Sequence, residues 1–140
     1  NKTVEEVRQH LENGQALAKF EKMVQAQGGD LEDLYRPVNV AHVVEIPAQE
    51  TGVISALPAM EFGLYAMRLG AGRAVKSDAL DYETGIVFEK KVGDSVQKGE
   101  IVAKVYTNGK ISPQLVTDFQ KYVKINDRVQ SLREIIEIIS

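Results

Sequence analysis

The segment Val92–Val105, VGDSVQKGEIVAKV, decides the fold, because two glycine turns in it lead into one regular strand. The pairs Gly93-Asp94 and Gly99-Glu100 are typical of tight turns. The run Ile101–Tyr106 that follows alternates between two sets of side chains, as the two faces of a β-strand require. The segment therefore predicts a compact β module.

A short phrase occurs twice in the chain: Glu50–Ile54 reads ETGVI, and Glu83–Val87 reads ETGIV. Both copies predict a tight turn that leads into a buried strand, and we expect Gly52 and Gly85 to use the positive φ that glycine tolerates. The alternative is a glycine loop that binds a ligand. A single glycine between strand patterns more often marks a turn or a bulge, which favours the architectural interpretation.

Size and composition indicate one ordinary domain, or a small domain with an appendage. The 140 residues are 44% hydrophobic and 26% charged, and the net charge of −3 is too small and too mixed for nucleic acid or an anionic membrane. There is no cysteine, which excludes disulfides, thiolate metal sites and cysteine nucleophiles. No apolar run approaches the length of a membrane span, so we expect a soluble, cytoplasmic protein. The start at Asn1, almost directly before a helix, suggests a part of a longer protein.

The first 38 residues are predicted to be helical. Thr3 and Glu6 form a capping box, and the helix that it starts has apolar residues on one face and ends near Asn13-Gly14. A second helix is predicted over 15–27. After Pro37 the composition changes to short runs that are rich in β-branched residues. We therefore place a domain border near residue 38, between parts 1–38 and 39–140.

The second part is predicted to mix strands and helices. Strands Val43–Ile46 and Val53–Leu57, joined by a turn over 49–52, predict a hairpin. A helix is predicted from Pro58, ending with Gly70 or Gly72 in the left-handed conformation, and a strand is predicted over 86–92. The last helix is predicted to start at the cap Ser112, with Leu115, Phe119 and Val123 on its inner face and Lys121 and Lys124 on its outer face. A terminal strand is predicted over 134–139.

The opening segment resembles the GD-x-V-x-KG-E signature of biotinyl and lipoyl carrier domains. Such folds are quasi-symmetric β sandwiches, and a carrier displays a lysine at a hairpin tip for its cofactor. Lys90 and Lys91 lie within a strand pattern and Lys104 alternates with apolar neighbours, so none has that setting. A carrier or a stand-alone interaction module remains the alternative to the family described next.

A second resemblance covers nearly the whole chain. The runs 63–73, 78–87 and 91–94 closely resemble the C-terminal domain of the thymidine and pyrimidine nucleoside phosphorylases. The runs 17–20 and 24–30 resemble the last helices of that family's α/β domain. Three motifs in the right order make the resemblance specific. It implies an α+β fold, with helices of the α/β domain over 1–38 and a β-rich α/β-hammerhead domain (barrel-sandwich, biotinyl/lipoyl-like) over 39–140.

The resemblance also implies a reaction in the parent enzyme. Phosphate attacks C1′ of a pyrimidine (deoxy)ribonucleoside, the base leaves, and a pentose 1-phosphate forms with inversion through an oxocarbenium-like transition state. The implied partners are the nucleoside, phosphate as co-substrate, the rest of the same chain, and a second subunit in a homodimer. No cofactor is implied. A nucleotide phosphorylase of the same superfamily, which shares this tail, is a neighbouring alternative.

The resemblance assigns no catalytic, cofactor-binding or metal-binding residue to these 140 positions, because the family's phosphate loop and base-binding residues have no match here. The best local candidate is a loop with Gly70, Gly72, Arg73 and Lys76, which combines flexible backbone with two cations. Glycine loops that bind anions normally precede a helix, whereas this loop follows one. A structural loop is therefore favoured over direct phosphate binding, and a segment that orders over a cleft mouth is the alternative role for these residues.

Overall fold

A computed structural model describes residues 3–73 and 75–128. The chain forms two compact units, Asn1–Val38 and Asn39–Ser140. The first unit is helical and the second combines two small antiparallel sheets with short helices, which gives an α+β class. The terminal strand predicted over 134–139 lies outside the described residues.

The first unit consists of α1 (Val4–Glu12), α2 (Gln15–Ala26) and a short 3₁₀ helix (Leu31–Tyr35). The predicted capping box is confirmed: Glu6 N donates to Thr3 Oγ1 at 3.2 Å, and Thr3 N donates to Glu6 Oε2 at 2.6 Å. The bond from Thr3 N, together with one from Thr3 Oγ1 to Glu6 Oε2 at 3.1 Å, holds the pKa of Glu6 below its ordinary value. Neither α1 nor α2 has a buried residue, so their apolar faces are exposed within this unit.

In its described residues, the second unit has six strands in two sheets. The elements are β1 (His42–Pro47), β2 (Gly52–Ala56), α3 (Ala59–Ala66), β3 (Gly85–Phe88), β4 (Ser95–Val96), β5 (Ile101–Thr107), α4 (Leu115–Gln120) and β6 (Lys124–Asn126). One sheet has the order β1-β5-β3, the other has the order β4-β2-β6, and each of these pairings is antiparallel.

The predicted hairpin of β1 and β2 is wrong. β1 pairs with β5, and β2 pairs with β4 and β6, so the two strands lie in different sheets. Pro47 faces Ile101 and Gly52 faces Val96, so one antiparallel register runs from the end of the first sheet into the second. Local sequence suggested a partner across a short turn, but β1 pairs with β5 along its whole length, from His42 to Pro47, and so satisfies its backbone groups there.

The two glycine turns of the opening segment have the same construction. Gly93 and Gly99 both have positive φ, at 101° and 88°. In each turn the acid after the glycine accepts a hydrogen bond from the backbone amide three residues earlier: Asp94 from Lys91 at 2.7 Å, and Glu100 from Gln97 at 2.9 Å. The two turns are therefore equivalent in conformation as well as in sequence.

The twin ETG phrases do precede strands, as predicted, but the expected positive φ at their glycines is wrong. Neither Gly52 nor Gly85 lies in the left-handed region. A Cβ on Gly52 would lie 2.7 Å from Ile125 Cγ2 and 2.8 Å from the carbonyl oxygen of Asn126, so β6 approaches this position too closely for a side chain. A Cβ on Gly85 would meet nothing within 4 Å. The two phrases are thus alike in sequence and different in packing.

Two element boundaries also differ from prediction. The strand predicted over 86–92 ends at Phe88, because the amides of Glu89 and Lys90 both donate to the carbonyl of Val102 and bend the chain. Lys90 and Lys91 therefore lie outside the strand. The last helix begins at Leu115, because Ser112 forms a separate turn with its carbonyl accepting from Leu115 N at 2.9 Å.

That helix also ends earlier than expected, at Gln120. Lys124, predicted on its outer face, instead lies in β6 opposite Ala56. Val123, predicted to continue the inner face, follows the helix and is half-buried. Leu115 and Phe119 are buried as predicted.

The core of the second unit is organised around Phe119, which is completely buried. Its ring centroid lies 4.8 Å from that of Phe62, 5.4 Å from Tyr65 and 6.0 Å from Phe88. These tilted and edge-to-face arrangements are the favourable ones for aromatic pairs. Helices α3 and α4 are therefore joined to the first sheet through one aromatic cluster.

Candidate functional site

The predicted cleft-edge loop begins at an unusual corner. Helix α3 continues into a wide π-helical turn, Met67–Ala71, in which Gly70 has φ 113°. The predicted left-handed conformation is thus confirmed at Gly70. Gly72 is extended, and a Cβ there would lie 2.8 Å from Met67 Cγ. Backbone conformation requires the first glycine, and close packing on Met67 requires the second.

The corner is tied to the rest of the unit through its carbonyl oxygens. Thr107 Oγ1, at the end of β5, donates to the carbonyl of Leu69 at 3.3 Å. Asp81 N donates to the carbonyl of Gly70 at 3.0 Å. The corner is therefore held by β5 on one side and by the chain that enters β3 on the other.

Asp81 is the main polar anchor beside this corner. Its carboxylate accepts from Thr84 Oγ1 at 2.7 Å, from Asn108 Nδ2 at 2.9 Å and from Glu83 N at 3.0 Å. The side-chain bonds from Thr84 and Asn108 hold the pKa of Asp81 below its ordinary value. Asn108 in turn accepts from Ala41 N at 2.8 Å. One ionised carboxylate thus connects the segments before β1, before β3 and after β5.

Arg73 and Lys76 lie beyond the corner, and both are exposed. Lys76 is within a small turn in which Asp78 N donates to the carbonyl of Val75 at 3.0 Å and Asp78 Oδ2 accepts from Val75 N at 3.0 Å. Of the four predicted residues, the structure places the two glycines in the corner and the two cations on the exposed chain after it. That this segment lies at a cleft mouth stays a prediction.

A polar surface cleft of about 330 Å³ lies next to the corner, and sequence reasoning missed it. One wall comes from the end of α3 and the following turn, with Tyr65, Arg68 and Leu69. The other comes from the segment over 110–122. Because more than forty positions separate the two walls in sequence, no local motif indicates that they meet. The charged or polar residues of the second wall are Lys110, Ser112, Asp118, Lys121 and Tyr122.

The base of the cleft is well fixed. Tyr65 is buried, its hydroxyl donates to the carbonyl of Leu115 at 3.0 Å, and its ring packs edge-to-face on Phe119. Burial, and secondarily the charge of Asp118, raises the pKa of Tyr65 to about 12. The phenol is therefore neutral at physiological pH and serves as a hydrogen-bond donor between the two walls.

The rim of the cleft is positively charged. Lys121 Nζ lies 2.6 Å from Asp118 Oδ1, and this hydrogen bond raises the pKa of Lys121. Arg68 Nε donates to the carbonyl of Leu64 at 3.2 Å, which orients the guanidinium. With Lys110, the described residues of the rim include three cations and one carboxylate, on a chain whose net charge is −3.

The lysines considered for a carrier role have structural settings. Lys90 pairs with Glu100, and Lys104 pairs with Glu89 at 3.2 Å. The hydrogen bonds within these pairs raise the pKa of both lysines. Lys91 is exposed and contributes its backbone to the Gly93 turn. These contacts favour the architectural interpretation of the lysines.

Within residues 3–73 and 75–128, no three histidine, aspartate or glutamate side chains come together in a group that could hold a metal ion. In the same ranges, no helix is long and apolar enough to cross a membrane.

Comparison with known proteins gives a consistent result. Residues 53–126 match the family model described as pyrimidine nucleoside phosphorylase C-terminal domain. The chain is 39% identical over 130 residues to the pyrimidine-nucleoside phosphorylase of Bacillus subtilis, covering 88% of the chain and 30% of that protein. It is 37% identical over 145 residues to that of Staphylococcus haemolyticus, covering 99% of the chain and 34% of the relative. The chain thus spans about a third of the length of these relatives.

Proposed function

The chain belongs to the pyrimidine nucleoside phosphorylase family as its C-terminal domain, and from this we propose the activity of the enzyme of which it forms part. That enzyme transfers the pentosyl group of a pyrimidine (deoxy)ribonucleoside to phosphate and releases the free base and a (deoxy)ribose 1-phosphate. The C1′–N bond breaks as the C1′–O bond to phosphate forms on the opposite face. Relatives with this name match almost the whole chain, and that observation supports the proposal.

Within that enzyme, we propose a structural role for this chain. A general acid or base works best with a pKa near the working pH. Among the described residues, each group with a shifted pKa moves away from neutrality: the carboxyls are lowered, and the lysines and the tyrosine are raised. These groups are Glu6, Tyr65, Asp81, Lys90, Glu100, Lys104 and Lys121.

The finer fold that we propose for the second unit is an α/β-hammerhead of the barrel-sandwich type. Its support is the equivalence of the Gly93 and Gly99 turns, which carry the same acid-to-amide hydrogen bond. Each turn also pairs with the β1–β2 chain: Gly93 N donates to Ile54 O at 2.8 Å, and Gly99 N donates to Ala48 O at 2.9 Å. Such internal repetition is what a quasi-symmetric sandwich requires.

We propose that the first unit is the helical end of the α/β phosphorylase domain. Both of its main helices carry apolar residues that their own unit leaves exposed, including Val4 at 79%, Leu11 at 68% and Leu17 at 54%. Apolar faces of this kind are normally covered by another surface. In the enzyme, that surface is the sheet of the α/β domain. The subunits pair as a homodimer, and the enzyme works in the cytoplasm.

We also propose that the segment with Gly70, Gly72, Arg73 and Lys76 lies at the mouth of the substrate cleft of the enzyme. The fixed corner and the exposed cations beyond it support this role, because a loop at a cleft mouth needs a fixed base and side chains that face the solvent. The loop contributes closure and exclusion of water rather than a reacting group.

A phosphorolysis assay tests both parts of the proposal. The full-length enzyme is expected to release base from uridine or thymidine in a phosphate-dependent manner, and the 140-residue chain alone is expected to be inactive. Activity of the chain alone refutes the structural role. Inactivity of the full-length enzyme towards pyrimidine nucleosides, with activity towards nucleotides, favours the neighbouring nucleotide phosphorylase.

A further inference from the structure

We propose that the cleft between α3 and the segment over 110–122 binds a phosphate monoester carried on a small organic group. No reaction step is involved, and the proposal stands on the geometry of this cleft. It is independent of whether the enzyme uses nucleosides.

The first support is that the cleft is preformed. The hydrogen bond from Tyr65 to the carbonyl of Leu115 joins its two walls, and Phe119 packs behind Tyr65 in the core. Both Tyr65 and Leu115 are buried. A site built on residues locked in this way loses little conformational freedom when a ligand enters.

The second support is uncompensated positive charge. Among the described residues that line the cleft, Asp118 is the one carboxylate, and it is already bonded to Lys121. In the part of the chain that the structure describes, neither Arg68 nor Lys110 forms an ion pair with a carboxylate. The lining therefore offers a net charge of about +2, which matches the dianion that a phosphate monoester carries above its second pKa of about 6.

The third support is the chemistry of the two free cations. An arginine guanidinium presents a planar set of donors that suits phosphate oxygens, and a lysine adds a point charge with a flexible reach. Arg68 is held by its Nε bond to Leu64, so its terminal nitrogens are left for a ligand.

The fourth support is the remaining surface of the cleft, which indicates more than a bare ion. Leu69 and Tyr122 line it as well, and both are half-buried. The volume of about 330 Å³ lies at the lower end of the range typical of small-molecule sites. A sugar phosphate or a mononucleotide would place its phosphate on the cations and its organic part on these side chains.

The test is a titration of the isotope-labelled 140-residue chain followed by its backbone amide signals. The ligands are inorganic phosphate, ribose 5-phosphate and uridine 5′-monophosphate, with neutral ribose as the uncharged control. We expect saturable shifts centred on residues 65–69 and 110–122, stronger for the two esters than for inorganic phosphate. The ester with the lower Kd shows which organic group the cleft prefers. Binding should strengthen from about pH 5.5 to about pH 7.5, as the phosphate takes its second charge.

The variants Arg68→Gln and Lys110→Gln should each weaken binding about tenfold, because each removes one charge-assisted contact. Both side chains are exposed, so folding should be unaffected, and an unchanged melting temperature verifies this. The matched control is the double variant Lys91→Gln/Lys98→Gln, which removes two exposed cations of the same unit outside the cleft and should bind like wild type.

Three results would overturn the proposal. One is the absence of saturable shifts up to about 10 mM ester, where even a site with a Kd of about 1 mM is filled. The second is equal loss in the control and cleft variants, which indicates general charge attraction. The third is equal binding of ribose and its phosphate.

Discussion

Replacing the two ETG glycines by alanine separates two positions that look the same in sequence. The structure predicts that Gly52→Ala destabilises the second unit and that Gly85→Ala does not. Neither glycine has a positive φ, so the added methyl group brings no penalty of backbone conformation at either position. Any difference must come from packing.

The expected magnitude follows from the contacts of the added Cβ. At Gly52 it would lie 2.8 Å from the backbone oxygen of Asn126 and 2.7 Å from Ile125 Cγ2, both far inside normal carbon contact distances. Ile125 can rotate its methyl away, but the backbone of β6 must move, which weakens its pairing with β2. Overpacking of this kind costs about 1–3 kcal/mol. At Gly85 nothing lies within 4 Å, and the change should stay within about 0.5 kcal/mol.

The measurement is urea unfolding of the wild type and the two variants, with thermal melting as a second readout. For a unit of roughly 100 residues, each kcal/mol corresponds to about 4–8 °C in melting temperature. Amide exchange should also be faster in β6 of the Gly52→Ala variant, and unchanged there in Gly85→Ala. Equal destabilisation by both substitutions, or a neutral Gly52→Ala, would refute the packing explanation and restore a common backbone role for the two glycines.

Three further predictions concern the core and the anchors. Phe119→Ala should destabilise by about 3–5 kcal/mol in urea unfolding, because it empties the centre of the aromatic cluster, and a loss below about 1 kcal/mol contradicts that placement. Asp81 has a lowered pKa in the folded state, so its stabilisation is full above its unfolded value near 3.8 and is lost as the pH falls through the lower folded value. Asp81→Asn should therefore flatten the acid limb of a stability–pH profile, and an unchanged limb counts against it. Tyr65 has a raised pKa, so its stabilisation is full below its ordinary value of 10.0 and is lost as the pH rises towards about 12. Tyr65→Phe should cost about 1 kcal/mol at neutral pH and remove that alkaline loss, and identical alkaline profiles would contradict the assignment.

The cleft is a feature that could not be predicted from the sequence. Its two walls come from a helix end and from a segment more than forty residues later. The first wall lies within the motif over 63–73, but nothing in that motif indicates which distant segment it meets. Arg68 is an exposed residue after α3, and Lys110 is an exposed residue between β5 and α4. Only the bond from Tyr65 to Leu115 and the packing on Phe119 bring them to one rim. The glycines of the neighbouring loop were identifiable, because a glycine after a helix signals its own backbone requirement.

The features that the sequence determined by itself are local ones. The capping box of α1, the two turns at Gly93 and Gly99, the strand β5 and the inward face of α4 depend on residues within a few positions of one another. Their energies are decided by backbone propensity and short-range hydrogen bonds, which a sequence pattern records directly.

The tertiary structure determines which strands pair and how the glycine of each of the two ETG segments packs. β1 pairs with the distant strand β5 from His42 to Pro47 and not with its sequence neighbour β2, so the two strands lie in separate sheets. The same choice brought β6 against Gly52 and left Gly85 open. Strand pairing depends on hydrogen bonds and packing between distant segments. The relative stability of two pairings therefore depends on every segment that competes for the same strand, and a local sequence pattern does not contain that information.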